Sequence, residues 1–320
     1  MSYTEVDMIY KIWLKEWLEN YVKVSVKKRT YDRYKQIVDN HLITDLGEKE
    51  MSEISLLDLQ RYVTKLLTNG NIKTGAGLSN NSVNGIINII QGSLEAAYDV
   101  KLITEYTANR IKRPKAMDVE VECFCVAEQK KIEKEVLLNL NTKNIGYILC
   151  LYTGLRIGEL LALTWQDVDM IKKELHITKT TYDGKDQQGK HCRVISTPKT
   201  LSSKRIIPLP DKIVILLRKY RKINNGEFII SHKNQPISVR SYQQSFTIFL
   251  RKIKVERKKF HCLRHTFATR AIEIGMDIKT LSEIMGHKTP YITMSRYCHS
   301  LIEHKKTMMN KLGRIMLDIE

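Results

Sequence analysis

The sequence predicts a mainly α chain with a small antiparallel β-sheet, an α+β fold in two domains. Three observations carry that expectation. At roughly 100–200 residues per domain, a length of 320 residues implies about two domains. Apolar residues recur at three- and four-residue steps through the first 110 or so positions, as in amphipathic helices. Between residues 175 and 209 that period gives way to short β-rich pieces, and helical patterns return from about residue 210.

Each element has its own local reason. Tyr10, Trp13, Leu14, Trp17, Leu18 and Tyr21 form the first stripe, and Thr30 can cap a second helix carrying Tyr31, Tyr34, Ile37 and Val38. Leu56, Leu59, Val63, Leu66 and Leu67 make a third. A glycine-rich stretch from Asn69 to Gly77 reads as flexible. Ser79 or Asn80 then opens a helix through Val83, Ile86, Ile87, Ile90, Leu94 and Ala97. The basic, proline-broken run Arg110-Ile111-Lys112-Arg113-Pro114-Lys115 marks the boundary. The predicted division is a helical domain over 1–112, a linker over 113–121 and a second domain over 122–320. In the second, helical periods cover 127–140 and 144–163. Strands are expected at 175–181, 192–195 and 205–209, with Tyr182-Asp183-Gly184-Lys185-Asp186 as a turn between the first two.

Charge narrows the function. Lys and Arg number 53 against 35 Asp and Glu, a formal net charge of +18. Residues 1–115 hold 17 basic and 14 acidic side chains, and residues 116–320 hold 36 and 21, so the second part carries +15. Such an excess suits a partner made of phosphates. No apolar run approaches the ~18–20 residues that span a bilayer, and the N-terminus lacks a signal peptide's basic and apolar regions, which points away from membrane insertion and secretion. Six scattered cysteines form neither a disulfide framework nor a CxxC pair, so reduced thiols of a cytoplasmic protein are expected.

Four motifs in the second domain carry chemistry. Thr153-Gly154-Leu155-Arg156-Ile157-Gly158-Glu159 sets an arginine after a glycine turn at the start of an apolar helix, with Glu159 available to pair with it. Thr197-Pro198-Lys199-Thr200, followed by Ser203-Lys204-Arg205-Ile206-Ile207-Pro208-Leu209, puts Lys199 on a turn between strands, with Lys204 as its rival. In His261-Cys262-Leu263-Arg264-His265-Thr266, His261 and Arg264 share a helical face, backed by a buried stripe of Leu263, Phe267, Ala271 and Ile274. The last motif is Gly286-His287, with Tyr297 ten positions after that histidine.

Taken together and in this order, the motifs resemble those of the tyrosine recombinase family, the phage-type integrases, and most of all integrases of bacterial mobile elements and temperate phages. The resemblance covers the second domain, and the helical first domain looks like the family's SAM-like core-binding domain. It implies a site-specific recombinase that cuts and rejoins duplex DNA through a covalent 3′-phosphotyrosyl intermediate. On that pattern Arg156 and Arg264 would clamp the phosphate's non-bridging oxygens, where forked donors serve better than a lysine. Tyr297 would be the nucleophile, Lys199 the general acid and His261 the base or proton relay. His287 would hydrogen-bond the phosphate, and Glu159 would orient Arg156.

The same resemblance implies double-stranded DNA core sites as partner, a homotetramer on two sites, and accessory DNA-bending or excision factors. It places the protein in the bacterial cytoplasm, associated with the nucleoid when bound. No cofactor and no metal are expected: His261 and His265 have i, i+4 spacing, but Cys262 stands where H-E-x-x-H requires glutamate. Strand cleavage and religation of the type IB topoisomerase kind, and a non-catalytic DNA-binding regulator, are the alternatives. Many such integrases carry a further arm-binding domain. Since all of 1–110 serves the core-binding domain, a two-domain recombinase and one lacking that module here both stay open.

Overall fold

The structure, a computed structural model, describes residues 8–115, 121–185, 191–196, 204–232, 235–297, 306 and 309–313. The chain divides into two compact units, Met1–Val119 and Glu120–Glu320.

Unit 1 is helical. Its first helix runs from α1 (Tyr10–Trp17) through a π-helical turn (Leu18–Val22) into α2 (Lys23–Ser25). The π turn adds a residue to the repeat. Val22 is therefore buried, while Tyr21, expected on the apolar stripe, is 41% exposed. Next comes α3 (Lys28–Ile37), capped at Lys27, so Thr30 lies inside the helix rather than at its cap. A second π turn (Val38–Leu42) leads to α4 (Ile43–Leu46). Helix α5 (Leu56–Asn69) starts with a capping box between Ser55 and Asp58. The stretch after it is a hydrogen-bonded loop, not a loose one: Asn71 N–H donates to Ala76 O, and Leu78 N–H returns to Leu66 O. Ser79 is the cap of α6 (Asn80–Asp99), the central helix of the unit, whose Ile87 and Ile90 meet Tyr10, Leu14, Leu42 and Leu59 in the core. Ser93 accepts from Trp13 Nε1 through its carbonyl (2.7 Å) and bonds the Tyr10 hydroxyl through its own (2.6 Å), so these buried polar atoms are satisfied.

The basic segment after α6 is strapped to this unit. Lys112 N–H donates to Gln60 Oε1 (3.0 Å), while Asn84 and Asn80 donate to the carbonyls of Pro114 and Lys115.

In unit 2, α7 (Val126–Leu138) and α8 (Ile145–Thr153) precede α9 (Ile157–Ala162). The single helical period expected over 144–163 is broken at Gly154, whose left-handed backbone (φ +63°) ends α8. Strands β1 (Val168–Asp169) and β2 (Glu174–Ile177) follow, then the hairpin β3 (Thr180–Lys185) and β4 (His191–Ser196), then β5 (Arg205–Pro208). An antiparallel sheet of order β1-β2-β5 pairs Leu175 with Ile207 and Ile177 with Arg205. β3 and β4 form a separate antiparallel pair in which Tyr182 faces Val194 and Gly184 faces Cys192. Tyr182 to Lys185, expected as a turn, is thus strand, and the 175–181 piece splits between β2 and β3.

Helix α10 (Asp211–Arg221), the short pair β6 (Ser231–His232) and β7 (Gln235–Pro236), and helices α11 (Val239–Lys252), α12 (His261–Glu273), α13 (Ile278–Met285) and α14 (Pro290–Tyr297) complete the described α-helices and strands. Asp183 of β3 caps the start of α11, accepting from Val239 and Arg240 N–H. The core gathers Tyr147, Tyr242, Phe246 and Phe260 with the aliphatic residues of α8 and α10. Helix α12 is buried nearly all round: Cys262, Leu263, Arg264, Thr266, Ala268 and Ala271 are all inside. Ile274, expected on its buried stripe, is 77% exposed, because it lies beyond the last turn as the C-cap. Cys123, Cys125, Cys150, Cys192 and Cys262 are free thiols. Among the described residues, no helix is long and apolar enough to cross a membrane.

Candidate active site

The site is built around the C-terminal end of α13. Gly286 there is left-handed (φ +62°) and closes the helix: its N–H and that of His287 take the carbonyls of Glu283 and Ser282, and those of Ile284 and Met285 go to side chains. Two arginines far apart in the chain converge on consecutive carbonyls at this corner. Arg156 Nη2 donates to Gly286 O (2.7 Å), and Arg264 Nη2 donates to Met285 O (2.8 Å). The negative end of the helix favours both guanidiniums.

Each arginine is fixed by its own element. Arg156 is the N-cap of α9, and Glu159, three residues on, accepts from the Arg156 backbone N–H (2.9 Å) and from Nη1 (2.8 Å). The expected pairing of Glu159 with Arg156 is thus present. Arg156 keeps 38% of its side chain exposed, while Glu159 keeps 4%. Arg264, on α12, is 2% exposed, and its Nη1 also donates to Gly154 O (2.5 Å).

His287 joins this group. Its Nε2 is 2.8 Å from Arg264 Nη2, and its Nδ1 is 2.7 Å from Thr293 Oγ1. A guanidinium only donates, so Nε2 accepts and the ring proton sits on Nδ1, pointing to Thr293. Thr293 is fully buried on α14, the helix that ends at Tyr297. The imidazole therefore links the Arg264 guanidinium to the helix carrying the tyrosine. His261 is the first residue of α12, exposed, with its ring edge-on to His265 at 4.4 Å. Lys199 and the side chain of Tyr297 lie outside the described residues.

One partner escaped the reading of the sequence. Arg205, the first residue of β5, donates from Nη1 (3.1 Å) and Nη2 (2.9 Å) to the two carboxylate oxygens of Glu159. A signal for it existed. Strand alternation puts Arg205 on the face of Ile207, which is 1% exposed, and a charge on a buried face needs a partner. Burial alone would raise the Glu159 carboxyl. The hydrogen bonds and charge of Arg205, then the charge and backbone N–H of Arg156, outweigh burial and pull it down to about 2. With Arg264 beside it, the corner holds three guanidiniums against one ionised carboxylate and stays cationic, a setting for an anion.

Comparison with known proteins fits this geometry. The description "Phage integrase family" matches residues 138–304, and "Phage integrase, N-terminal SAM-like domain" matches residues 10–67. A "Tyrosine recombinase XerC-like" protein of Caldanaerobacter subterraneus subsp. tengcongensis is 28% identical, over 94% of this chain and 82% of its own. Among solved structures, the Tn1549 transposon integrase in complex with transposon right end DNA superposes with a TM-score of 0.79 at 20% identity, covering 96% of this chain and 100% of that one. A lambda integrase tetramer bound to a Holliday junction gives 0.65 at 19% identity, covering 89% and 79%.

Proposed function

This chain belongs to the phage integrase family and is a tyrosine site-specific recombinase, and from that premise we propose how its corner of arginines works. Duplex DNA is cut and rejoined one strand at a time. The scissile phosphate sits where Arg156 and Arg264 converge, and their N–H groups take the non-bridging oxygens. The observation that carries this reading is the meeting of both guanidiniums on the adjacent carbonyls of Met285 and Gly286. Phosphoryl transfer asks mainly for positioning and charge stabilisation, and that is what two fixed guanidiniums supply.

The Tyr297 oxygen attacks phosphorus and forms a 3′-phosphotyrosyl ester as the P–O bond to the 5′ oxygen breaks. Lys199 gives that oxygen its proton, and His261 relays the proton of the tyrosine. His287 holds Arg264 in place before DNA binds; once the phosphate is seated, the ring proton moves to Nε2, which donates to a phosphate oxygen while the Thr293 hydroxyl donates to Nδ1. The ester conserves the energy of the phosphodiester, so the reverse attack by a new 5′ hydroxyl rejoins strands without ATP. The helical first unit grips the same core site. Four protomers on two sites exchange strands, as befits a chain that resembles a lambda integrase solved as a tetramer on a Holliday junction. The setting is a bacterial cytoplasm, on the chromosome of the element's host.

A suicide duplex incubated with the protein in EDTA is expected to give a covalent protein–DNA adduct, and Tyr297→Phe to give none while binding the same DNA. An adduct in the Phe variant would move the nucleophile elsewhere. Relaxation of supercoils with no exchange between two sites would favour topoisomerase-like chemistry.

A further inference from the structure

Arg205 is wedged between two parts of the corner. Its side chain is 6% exposed, against 4% for Glu159, so the pair is out of water. Nη1 and Nη2 take both oxygens of Glu159, and Nε donates to Ile284 O in the last turn of α13 (2.5 Å). The guanidinium also lies directly under Gly286, where an added Cβ would come within 2.8 Å of Nη1. On the other side of Glu159, Oε1 accepts from Arg156 Nη1 and Oε2 from the Arg156 N–H. Both carboxylate oxygens are therefore shared between Arg205 and Arg156.

We propose that Arg205 is a positioning residue for the strand cleavage assigned above. It acts on the phosphate through Glu159 and Arg156 on one side, and through the end of α13 and His287 on the other. The physical reason is competition for one buried carboxylate. With Arg205 engaging Glu159 through a two-pronged contact, Arg156 needs to spend only Nη1 on it and can turn Nη2 to the Gly286 carbonyl, at the phosphate corner. Without Arg205, the buried carboxylate has Arg156 as its remaining cation in this network and draws that guanidinium fully onto itself. Three donors in a fixed plane are in use, which a lysine ammonium does not reproduce. Arg205 also stands six residues after Lys199 in the chain, so the strand that anchors the clamp directly follows the segment carrying the general acid.

This inference rests on the recombinase reading, and its test separates the two. Arg205→Lys and Arg205→Gln in the full chain are compared with the wild type in single-turnover adduct formation at saturating DNA. One suicide duplex carries a normal scissile phosphate. The other carries a methylphosphonate there, which removes a non-bridging charge and so lowers the demand on Arg156. Both variants are expected to bind DNA as the wild type does and to cleave the normal phosphate about 100-fold more slowly, with a clearly smaller deficit on the methylphosphonate. Gly286→Ala, which crowds the guanidinium from its other side with every charge kept, is expected to give the same substrate-dependent pattern and covers the case in which an Arg205 variant does not fold. Full cleavage rates, or equal deficits on the two substrates, would overturn the positioning role. A wild-type protein that binds both duplexes and forms no adduct would overturn the recombinase reading itself.

Discussion

Glu159 is the residue on which the site's electrostatics turn. A carboxylate with 4% exposure survives ionised only because Arg205 and Arg156 surround it. Glu159→Gln leaves two guanidiniums facing a neutral amide, and removing one partner of such a buried pair costs about 3–5 kcal/mol. Chemical denaturation at pH 7 reads that loss directly. Acid sharpens the test. The carboxyl is held near 2 in the folded chain against an ordinary 4.5, so its contribution is full above the ordinary value and disappears as pH falls toward 2. Stability curves of the wild type and Glu159→Gln are therefore expected to converge over that window; a constant gap would mean that the charge contributes nothing. The Arg156–Glu159 half of this network was legible in the sequence, because three-residue spacing at a helix start puts the two side chains together. The Arg205 half joins residues 46 apart through strand pairing and α13, and only the alternation within β5 hinted at it.

Among the elements, the helices could be found from period alone, but their registers and boundaries could not. Two π turns in unit 1 shift the inward face by one residue, which is why Val22 rather than Tyr21 enters the core. A 3.6-residue pattern has no means of announcing an i+5 hydrogen bond. The β3–β4 pair was hidden for a different reason: Asp183 and Gly184 have turn chemistry, yet Asp183 spends its carboxylate on the start of α11, and the strand continues through it. The run from Arg110 to Lys115 reads as loose linker by composition, while amide side chains of α5 and α6 hold its backbone against unit 1. Gln60→Ala removes the acceptor of the Lys112 N–H. Hydrogen exchange at Lys112 is expected to accelerate in that variant while amides in the middle of α6 keep their protection. Unchanged exchange at Lys112 would show that the strap does not depend on Gln60.

At the scale of the whole molecule, the +15 of residues 116–320 against +3 before them predicts that the second unit supplies most of the electrostatic grip on DNA. Affinity for a core site is expected to fall with salt at a log–log slope of about −0.9 per phosphate neutralised, more steeply for the second unit's surface than for the first's. A flat titration would contradict a phosphate-led interface. The end of the chain carries the last prediction. Met309 and Leu312, three residues apart, are 64% and 47% exposed, while the sequence extends the same helical spacing to Met308, Ile315 and Met316, outside the described residues. An apolar stripe on a short helix gains stability only by burial. In a ring of identical protomers, head-to-tail exchange of such a segment satisfies every copy at once. Tyr297 stands upstream of the tail at the end of α14, and Thr293 on that helix bonds His287. Because the tail follows directly in the chain from Tyr297, the proposed nucleophile, its seating on a neighbour is expected to couple assembly to the placement of that tyrosine, so that cleavage waits for assembly. Deleting the residues after Glu303 is expected to spare binding to a single site, to weaken tetramer formation on paired sites, and to let cleavage proceed without synapsis. Sedimentation of the DNA complexes and adduct yield on single against paired sites measure both effects. Full-rate recombination by the truncated chain would assign the tail no part in the coupling.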